Sequence, residues 1–500
     1  MMLFRFILAL AMAGGVVCVS RASEPIDIGS RLELMVDDYL IERFEGKAEL
    51  RLHRPVEREV VFTCDKPWEG DWSGSVTFLQ DGDAYRMYYA AANWSPRRTN
   101  HCYAESTDGV HWTRPELGLV EFDGSTKNNI LNIPGEGKFV PFKDTNPDCK
   151  PEERYKALVA LWDDPVTGLY GYTSADGIRW RRMRDQPLIT KGQFDSQNVA
   201  FWDSARGRYV TYYRQCRGLD DSFTDVGPQL GIDDKGWVRD VLTCTSTDFL
   251  NWTEPQWLQY PGAPREQIYL NQIRTYYRAP HLFVGFPGRF VAGREIEKGL
   301  PATSHPAYQF ANISETLFMT SRDGVHFKRW GEAFIRPGPR KERWIYGATF
   351  PQYGLLVTKA GTAATPGELS LYISDGGTWT QRGKASRFRR FTLGVDRFVS
   401  VNAPLRGGGF VTKPLVFQGT TLVMNFATSA AGSIRVEIQT PNGKPANGFA
   451  LADCPEIFGD HIEQVVAWKS GSDVRHLAGK PIRLRFVLKD ADLHAIRFAE

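Results

Sequence analysis

The chain has 500 residues, with 61 Lys and Arg set against 58 Asp and Glu and a net charge of +3. The two signs are intermixed along the chain, which argues against nucleic acid or an anionic membrane surface as a partner. The length exceeds what one ordinary core accommodates, so two domains are expected.

Residues 1–22 read as a signal peptide: Arg5 precedes an apolar run from Phe6 to Val19 and a small-residue exit at Ser20-Arg21-Ala22. Gly14 and Gly15 interrupt that run, which is too short for a comfortable membrane span. The mature chain is therefore expected to be secreted or periplasmic, and free of the membrane after signal cleavage. Its oligomeric state is not legible. The six cysteines beyond the signal, Cys64, Cys102, Cys149, Cys216, Cys244 and Cys454, are widely spaced. They form no metal motif, and leave open both one or two disulfides and buried free thiols.

The segment LeuGluLeuMetValAspAspTyrLeuIle (32–41) reads as an outer strand that closes a ring of sheets. Five copies of a short turn follow: SerThrAspGlyValHisTrp (106–112), SerAlaAspGlyIleArgTrp (174–180), SerThrAspPheLeuAsnTrp (246–252), SerArgAspGlyValHisPhe (321–327) and SerAspGlyGlyThrTrp (374–379). In such a turn the Asp bonds its own backbone, Gly accepts a positive φ, and the aromatic re-enters a strand. Each copy is preceded by two alternating apolar stretches: 75–80 and 84–90, 139–142 and 154–162, 198–202 and 208–213, 273–277 and 281–287, and 348–351 and 354–358. The reading is all-β: a five-bladed β-propeller over residues 23–400. After Leu405, strands at 420–426, 433–438 and 481–488 with Asn-Gly turns at 442–443 and 447–448 predict a β-sandwich over 401–500. Trp468 in that region suits either a core position or a sugar platform.

In a propeller the first strand of each blade lines the central channel, so residues just ahead of those strands gather at one mouth. They include Trp68, Asp71 and Trp72 in the first unit, Asp195, Gln197 and Asn198 in the third, and Glu266 and Tyr269 in the fourth. Carboxylates mixed with aromatics are what glycosidic-bond hydrolysis requires: one acid protonates the leaving oxygen, a second carboxylate activates water or attacks carbon, and rings stack on the sugar. The assignment is Asp71 as base or nucleophile, Asp195 as a charge that orients sugar hydroxyls, and Glu266 as acid. Arg278 and Arg289 are further candidates for substrate contact. Asp81, Asp144 and Asp203 follow the first strands, at the opposite end, and read as turn formers. Asp37 and Asp38 fall on the closing strand. The scattered histidines show no ligand spacing, so no metal or cofactor is demanded.

PheAspSer (194–196), with AsnValAlaPheTrpAsp (198–203) and ArgTyrValThrTyrTyr (208–213) behind it, resembles the ArgAspPro motif of glycoside hydrolase family 32 and its two following strands. TrpGluGlyAspTrpSerGly (68–74) is a looser likeness to that family's first-blade motif. With the repeated turns, residues 60–400 resemble the five-bladed glycoside hydrolases of families 32, 43, 62 and 68. The resemblance implies a carbohydrate substrate, Asp71 as nucleophile or base and Asp195 as transition-state stabiliser. The chain departs from family 32 in having no ArgAspPro, AsnAspPro or GluCys, so Glu266 rests on position alone. Two other readings are kept: a carbohydrate-binding propeller without catalysis, and a family 130-type glycoside phosphorylase in which Arg265, Arg274 and Arg278 would hold phosphate.

Overall fold

The computed structural model describes residues 24–94, 97–133, 138–162, 164–224, 237–292, 294, 312–358, 367–376 and 385–500. The signal peptide expected over residues 1–22 lies outside them. The chain is all-β, with short 3₁₀ turns and many antiparallel sheets.

Four sheets are built on four antiparallel strands each, taken in chain order, with a fifth short strand added to the third. The first contains Trp72–Asp81, Ala84–Trp94, Arg97–Ser106 and Ile130–Leu131. The second contains Phe139–Lys143, Tyr155–Leu161, Gly168–Ser174 and Arg181–Arg182. The third is built on Val199–Asp203, Arg208–Arg217, Val238–Ser246 and Gln256–Trp257, and Phe223–Thr224 pairs with its second strand. The fourth contains Arg274–Tyr276, Ala279–Gly285, Met319–Ser321 and Phe327–Arg329. A three-stranded sheet, Gln267–Leu270, Gly288–Val291 and Ile313–Thr316, extends from this fourth unit.

The fifth sheet differs from expectation twice. Its first strand is Leu356–Thr358, followed by Glu368–Ser374 and Arg387–Gly394. Residues 348–351 form no strand: Thr349 sits at φ 57, outside the extended region, and Pro351 makes only an isolated bridge to Ile373. The outer strand comes from the N-terminal part of the chain, but it is Val56–Thr63 rather than 32–41. The burial pattern gives the reason. Val56–Thr63 is mostly exposed, as an edge strand is, whereas Leu32, Leu34, Met35 and Val36 are all buried. That continuous apolar run is covered on both sides, with Leu32, Leu34 and Val36 in one core and Met35 in the next.

The repeated turn is the joint between sheets. Asp108, Asp176, Asp248 and Asp323 each accept two backbone N–H bonds at 2.8 Å from the residues two and three further on. Each of these turns lies between the third and fourth strands of its sheet, and three of them meet a tyrosine on the second strand of another sheet: the fifth for the first turn, and the preceding one for the other two. Tyr372 donates to the Gly109 carbonyl at 2.6 Å, Tyr88 to Gly177 at 3.1 Å, and Tyr212 to Gly324 at 2.9 Å. In the third turn Phe249 takes the glycine's place at φ 66, and its ring packs on Phe142 of the second sheet. The fifth copy is a coincidence of residues. Ser374-Asp375-Gly376 falls between the second and third strands, and Asp375 instead binds Arg343 at 2.6 Å and Arg389 at 2.7 Å; Gly377–Trp379 of that copy lie outside the described residues.

The aspartates that follow the first strands also join sheets, and so do more than form turns. Asp81 pairs with Lys143 at 2.5 Å and accepts from Tyr155, both in the second sheet. Asp144 is buried against Lys156 and receives the Tyr209 hydroxyl of the third sheet at 2.6 Å. Asp203 holds Arg206, which reaches the His281 carbonyl of the fourth sheet at 3.1 Å. The fourth and fifth sheets share a core through Leu282, Val284, Leu369 and Leu371.

Strands from both ends of the chain build the remaining module. Glu33–Leu34, Ile41–Gly46 and Glu49–Leu52 join Val399–Ala403, Gly408–Thr412, Thr421–Gln439, Asp460–Val465 and Arg483–Ala499 in one eight-stranded sheet. Residues 26–52, assigned by the sequence reading to the region before 400, thus pair with the C-terminal strands. The module has its own core, in which Phe417 stacks on Phe498 and Trp468 is buried with its indole N–H on the Val436 carbonyl at 2.9 Å. Trp468 is therefore a core residue and not a sugar platform. All six cysteines beyond the signal are unpaired. Among the described residues no helix is long and apolar enough to cross a membrane.

Candidate functional site

A cavity of about 220 Å³ opens where the first strands begin. Its lining comes from the first, second, third and fifth sheets or their lead-in segments and from the three-stranded sheet, and includes Trp72, Lys138, Asp195, Ser196, Tyr269 and Phe350. Local backbone conformation marks the same place. Of the nine non-glycine residues at positive φ among the described residues, Ser75 lines this cavity, Phe194 and Thr349 immediately precede the lining residues Asp195 and Phe350, and Gln272 lies two past Leu270, all between φ 47 and φ 57. Each such residue carries a cost of about 1–3 kcal/mol, and strain of this kind collects where the chain must aim side chains at a site.

The floor is a web of amides. Gln272 donates to Gln197 at 2.6 Å and to the Pro351 carbonyl at 2.8 Å, and Gln197 donates to the Val76 carbonyl at 2.8 Å. Gln352 accepts from the Val76 N–H at 3.0 Å and donates to Ser374 at 2.9 Å. Gln197 lines the cavity as expected, yet its amide cross-links neighbouring first strands. Asn198 is fully buried and caps the Phe194 and Ser196 carbonyls at 3.0 Å, so it contributes to the turn and does not line the cavity.

The walls carry the chemistry. Asp195 is half-exposed and is the only carboxylate among the described residues that line the cavity. Arg214, buried behind it, holds it with Nε at 2.7 Å and Nη2 at 2.5 Å. Tyr269 stacks on Phe350 with ring centres 5.3 Å apart, and the Arg214 guanidinium lies 5.2 Å from the Tyr269 ring centre. Burial, reinforced by the Asp195 charge, pushes the Tyr269 hydroxyl up to about 12. Lys138 stands over the Trp72 ring at 5.2 Å. Burial lowers the pKa of its ammonium, and the Asp195 charge acts the other way. The Ser196 hydroxyl is buried and finds no hydrogen-bond partner among the described residues.

The remaining expected site residues are elsewhere or structural. Asp71 stands one residue ahead of Trp72, with its N–H on the Ala92 carbonyl at 2.9 Å, and is not part of the lining. Trp68 donates to Asn129 at 2.7 Å and packs beside Phe122. Glu266 lines a separate cleft with Arg217, Asp240 and Tyr260, where it binds Arg289 at 2.9 Å and also Arg329. Arg289 is further tied to Glu315 at 2.9 Å. Arg278 faces the C-terminal module, paired with Glu463 at 2.8 Å. The three arginines considered for phosphate are dispersed: Arg265 bonds the Gly218 carbonyl at 2.7 Å, Arg274 lines a cavity at the opposite end of the first strands, and Arg278 is at the module interface.

Sequence reasoning missed Lys138 and Arg214. Lys138 belongs to no motif, and only its position just ahead of Phe139–Lys143 could have flagged it. Arg214 lies inside the apolar-aromatic strand Arg208–Arg217, where an arginine at 5% exposure implies a buried counterion.

No protein family model matches this chain. An uncharacterized protein found in two strains of Mycobacterium tuberculosis is 24% identical over 165 residues, which is 30% of this chain and 46% of that protein. The chain thus spans about half the length of the curated relatives it matches. Among solved structures, it is similar to an N-acetylgalactosamine deacetylase from F. plautii in complex with blood group B trisaccharide, at 14% identity and a TM-score of 0.43, over 70% of this chain and 96% of that one. A glycosyl hydrolase from Bacteroides ovatus gives 14% identity and a TM-score of 0.42, over 71% and 95%. A protein described with the family 130 mannoside phosphorylases and hydrolases that target β-1,2 mannosidic linkages in Candida mannan gives 15% and 0.40, over 72% and 96%.

Proposed function

We propose that this chain is an exported carbohydrate-active enzyme of the glycoside hydrolase type, with its site in the cavity between Trp72 and Tyr269. In this reading the five sheets are the blades of a five-bladed propeller, closed by Val56–Thr63, and the eight-stranded module is an accessory β-sandwich. The turn-to-tyrosine joints and the aspartate joints support that arrangement, since all but one tie a sheet to its neighbour in sequence and the Tyr372–Gly109 joint ties the fifth to the first. The observation that carries the functional reading is Asp195: a carboxylate with one oxygen gripped by two nitrogens of a buried arginine, half-exposed, in a cavity lining that also holds Trp72, Tyr269 and Phe350. A carboxylate held this way is fixed in orientation, as positioning sugar hydroxyls or stabilising an oxocarbenium-like transition state requires. Hydrolysis needs a second carboxyl group, and Asp71, adjacent in sequence to the cavity-lining Trp72, is the candidate. Glu266, bound by two arginines in a separate cleft, is not assigned the acid role.

The test is release of reducing sugar from a panel of polysaccharides by the purified protein, with and without inorganic phosphate, beside Asp195→Asn. Release that Asp195→Asn abolishes supports the hydrolase, and release that depends on phosphate points to a phosphorylase. A second reading, a carbohydrate-binding protein without catalysis, is favoured by the lone carboxylate in the lining. Silence across the panel together with glycan binding would establish it.

A further inference from the structure

Every charged group around the cavity except one has an opposite charge or a carbonyl to answer it. Asp195 is neutralised by Arg214 through two short contacts. Arg239, behind Tyr269, donates to Gln267. Lys138 is the exception. No carboxylate stands at ion-pair distance from its ammonium among the described residues: the Trp72 ring lies 5.2 Å away, and Asp195, whose charge acts on it from further off, is already held by Arg214. Of these four groups three are positive and one is negative, and of the three cations Lys138 alone is part of the lining.

A partly buried ammonium without a counterion loses hydration and gets little in return, since an aromatic face replaces only part of what water supplied. Chains usually avoid this by pairing such a lysine or leaving it on the surface. Here it lines a cavity together with a tryptophan able to stack on a sugar and a serine whose hydroxyl has no partner among the described residues. An anion delivered by the ligand satisfies the ammonium, and the ring carrying that anion satisfies Trp72.

We infer that Lys138 makes the site selective for an acidic sugar, one bearing a carboxylate or a sulfate ester on the ring that stacks against Trp72. This rests on the carbohydrate reading above and adds the substrate class to it. Lys138 is a recognition residue in this account and takes no part in bond cleavage. Asp195 would repel the same anion if it were unpaired, so the Arg214 contacts are needed for the selectivity as well as for the carboxylate's orientation.

The test is calorimetric binding of the full-length mature protein to three probes: an oligogalacturonate, its carboxyl-reduced neutral counterpart, and a sulfated neutral oligosaccharide of the same length. The expected result is at least tenfold tighter binding of one anionic probe than of the neutral one, weakening as NaCl rises, since added ions stabilise the free anion in solution and screen its attraction to the site. Which anionic probe prevails separates uronate from sulfate ester. Lys138→Met is expected to remove the preference while leaving the neutral probe within twofold, and Lys138→Arg is expected to keep it. Equal binding of the three probes by the wild type, or a preference that survives Lys138→Met, overturns the inference and leaves the carbohydrate reading standing. Binding of inorganic sulfate alone with no sugar bound overturns both. The salt dependence of the wild type carries the test if Lys138→Met does not fold.

Discussion

Arg214 Nε lies 2.7 Å from Asp195 Oδ1, and Nη2 of the same guanidinium lies 2.5 Å from the same oxygen. One carboxylate oxygen is therefore occupied from behind while the other is left toward the cavity. Asp195→Asn is expected to lower turnover by roughly 10²-fold or more with the fold intact, since the charge is lost and the shape kept. Arg214→Lys should also lower turnover, because a point charge cannot reproduce the two-nitrogen grip. Kinetics on the identified glycan, alongside far-UV circular dichroism, measure both. Full activity in Asp195→Asn would remove this residue from the site.

Glu266→Gln is expected to act on stability instead. It takes a charge from between Arg289 and the buried Arg329, and a loss of about 1–3 kcal/mol follows from leaving a hydrogen-bonded guanidinium half-answered. Chemical denaturation gives the stability. Activity per folded molecule should stay close to wild type, and a hundredfold drop there would return Glu266 to the catalytic set.

The inter-sheet joints make a paired prediction. Gly324 sits at φ +84, and a Cβ there would meet the Tyr212 hydroxyl at 2.8 Å and the Phe283 ring at 3.0 Å. Gly82 sits at φ +65 with open space around it. Gly82→Ala should cost about 1 kcal/mol from backbone conformation alone. Gly324→Ala should cost about 2–4 kcal/mol, since steric displacement of a buried tyrosine adds to the backbone term. Equal losses in denaturant melts would mean that the turn does not press on the neighbouring sheet.

Glu33 gives a pH dependence. It is fully buried, and burial alone would raise its pKa, but the His281 ring, the Arg322 guanidinium and Arg31 draw it from 4.5 down to about 2. A depressed carboxylate stabilises the fold above its unfolded pKa, and that stabilisation is lost as pH falls through the window from about 4.5 to about 2. The shift corresponds to on the order of 3 kcal/mol. Wild type should therefore lose stability faster than Glu33→Gln between pH 5 and pH 3. Parallel pH profiles for the two proteins would contradict it.

What could be read from the sequence divides by range. The turns at Asp108, Asp176, Asp248 and Asp323 were legible because an Asx turn is made by neighbours along the chain, and a few residues contain all of it. The same locality produced the false fifth copy, where Asp375 has the right neighbours but is claimed by Arg343 and Arg389 from a distance. Asp195 was legible because it leads into a strand whose start lines the cavity. Glu266 was misplaced because the three-stranded sheet at Gln267–Leu270 carries it away from the first strand that begins at Arg274. The pairing of residues 26–52 with strands beyond 399 left no local mark at all, beyond the doubly covered run from Leu32 to Val36.

The pairing of Val56–Thr63 with Arg387–Gly394 bears on how the chain comes to be folded. Glu59 meets its partner Arg390 across 331 positions of sequence, and Ile26 pairs with Leu415. A chain emerging from its N-terminus makes Val56–Thr63 early and then carries it unpaired until nearly the whole protein has been synthesised. Contacts of such long range are the slow ones to form, and an open strand edge is exposed to wrong partners meanwhile. Truncation ahead of Arg387 should therefore yield a product that aggregates, and not a smaller stable domain, which sedimentation of the truncated protein would reveal.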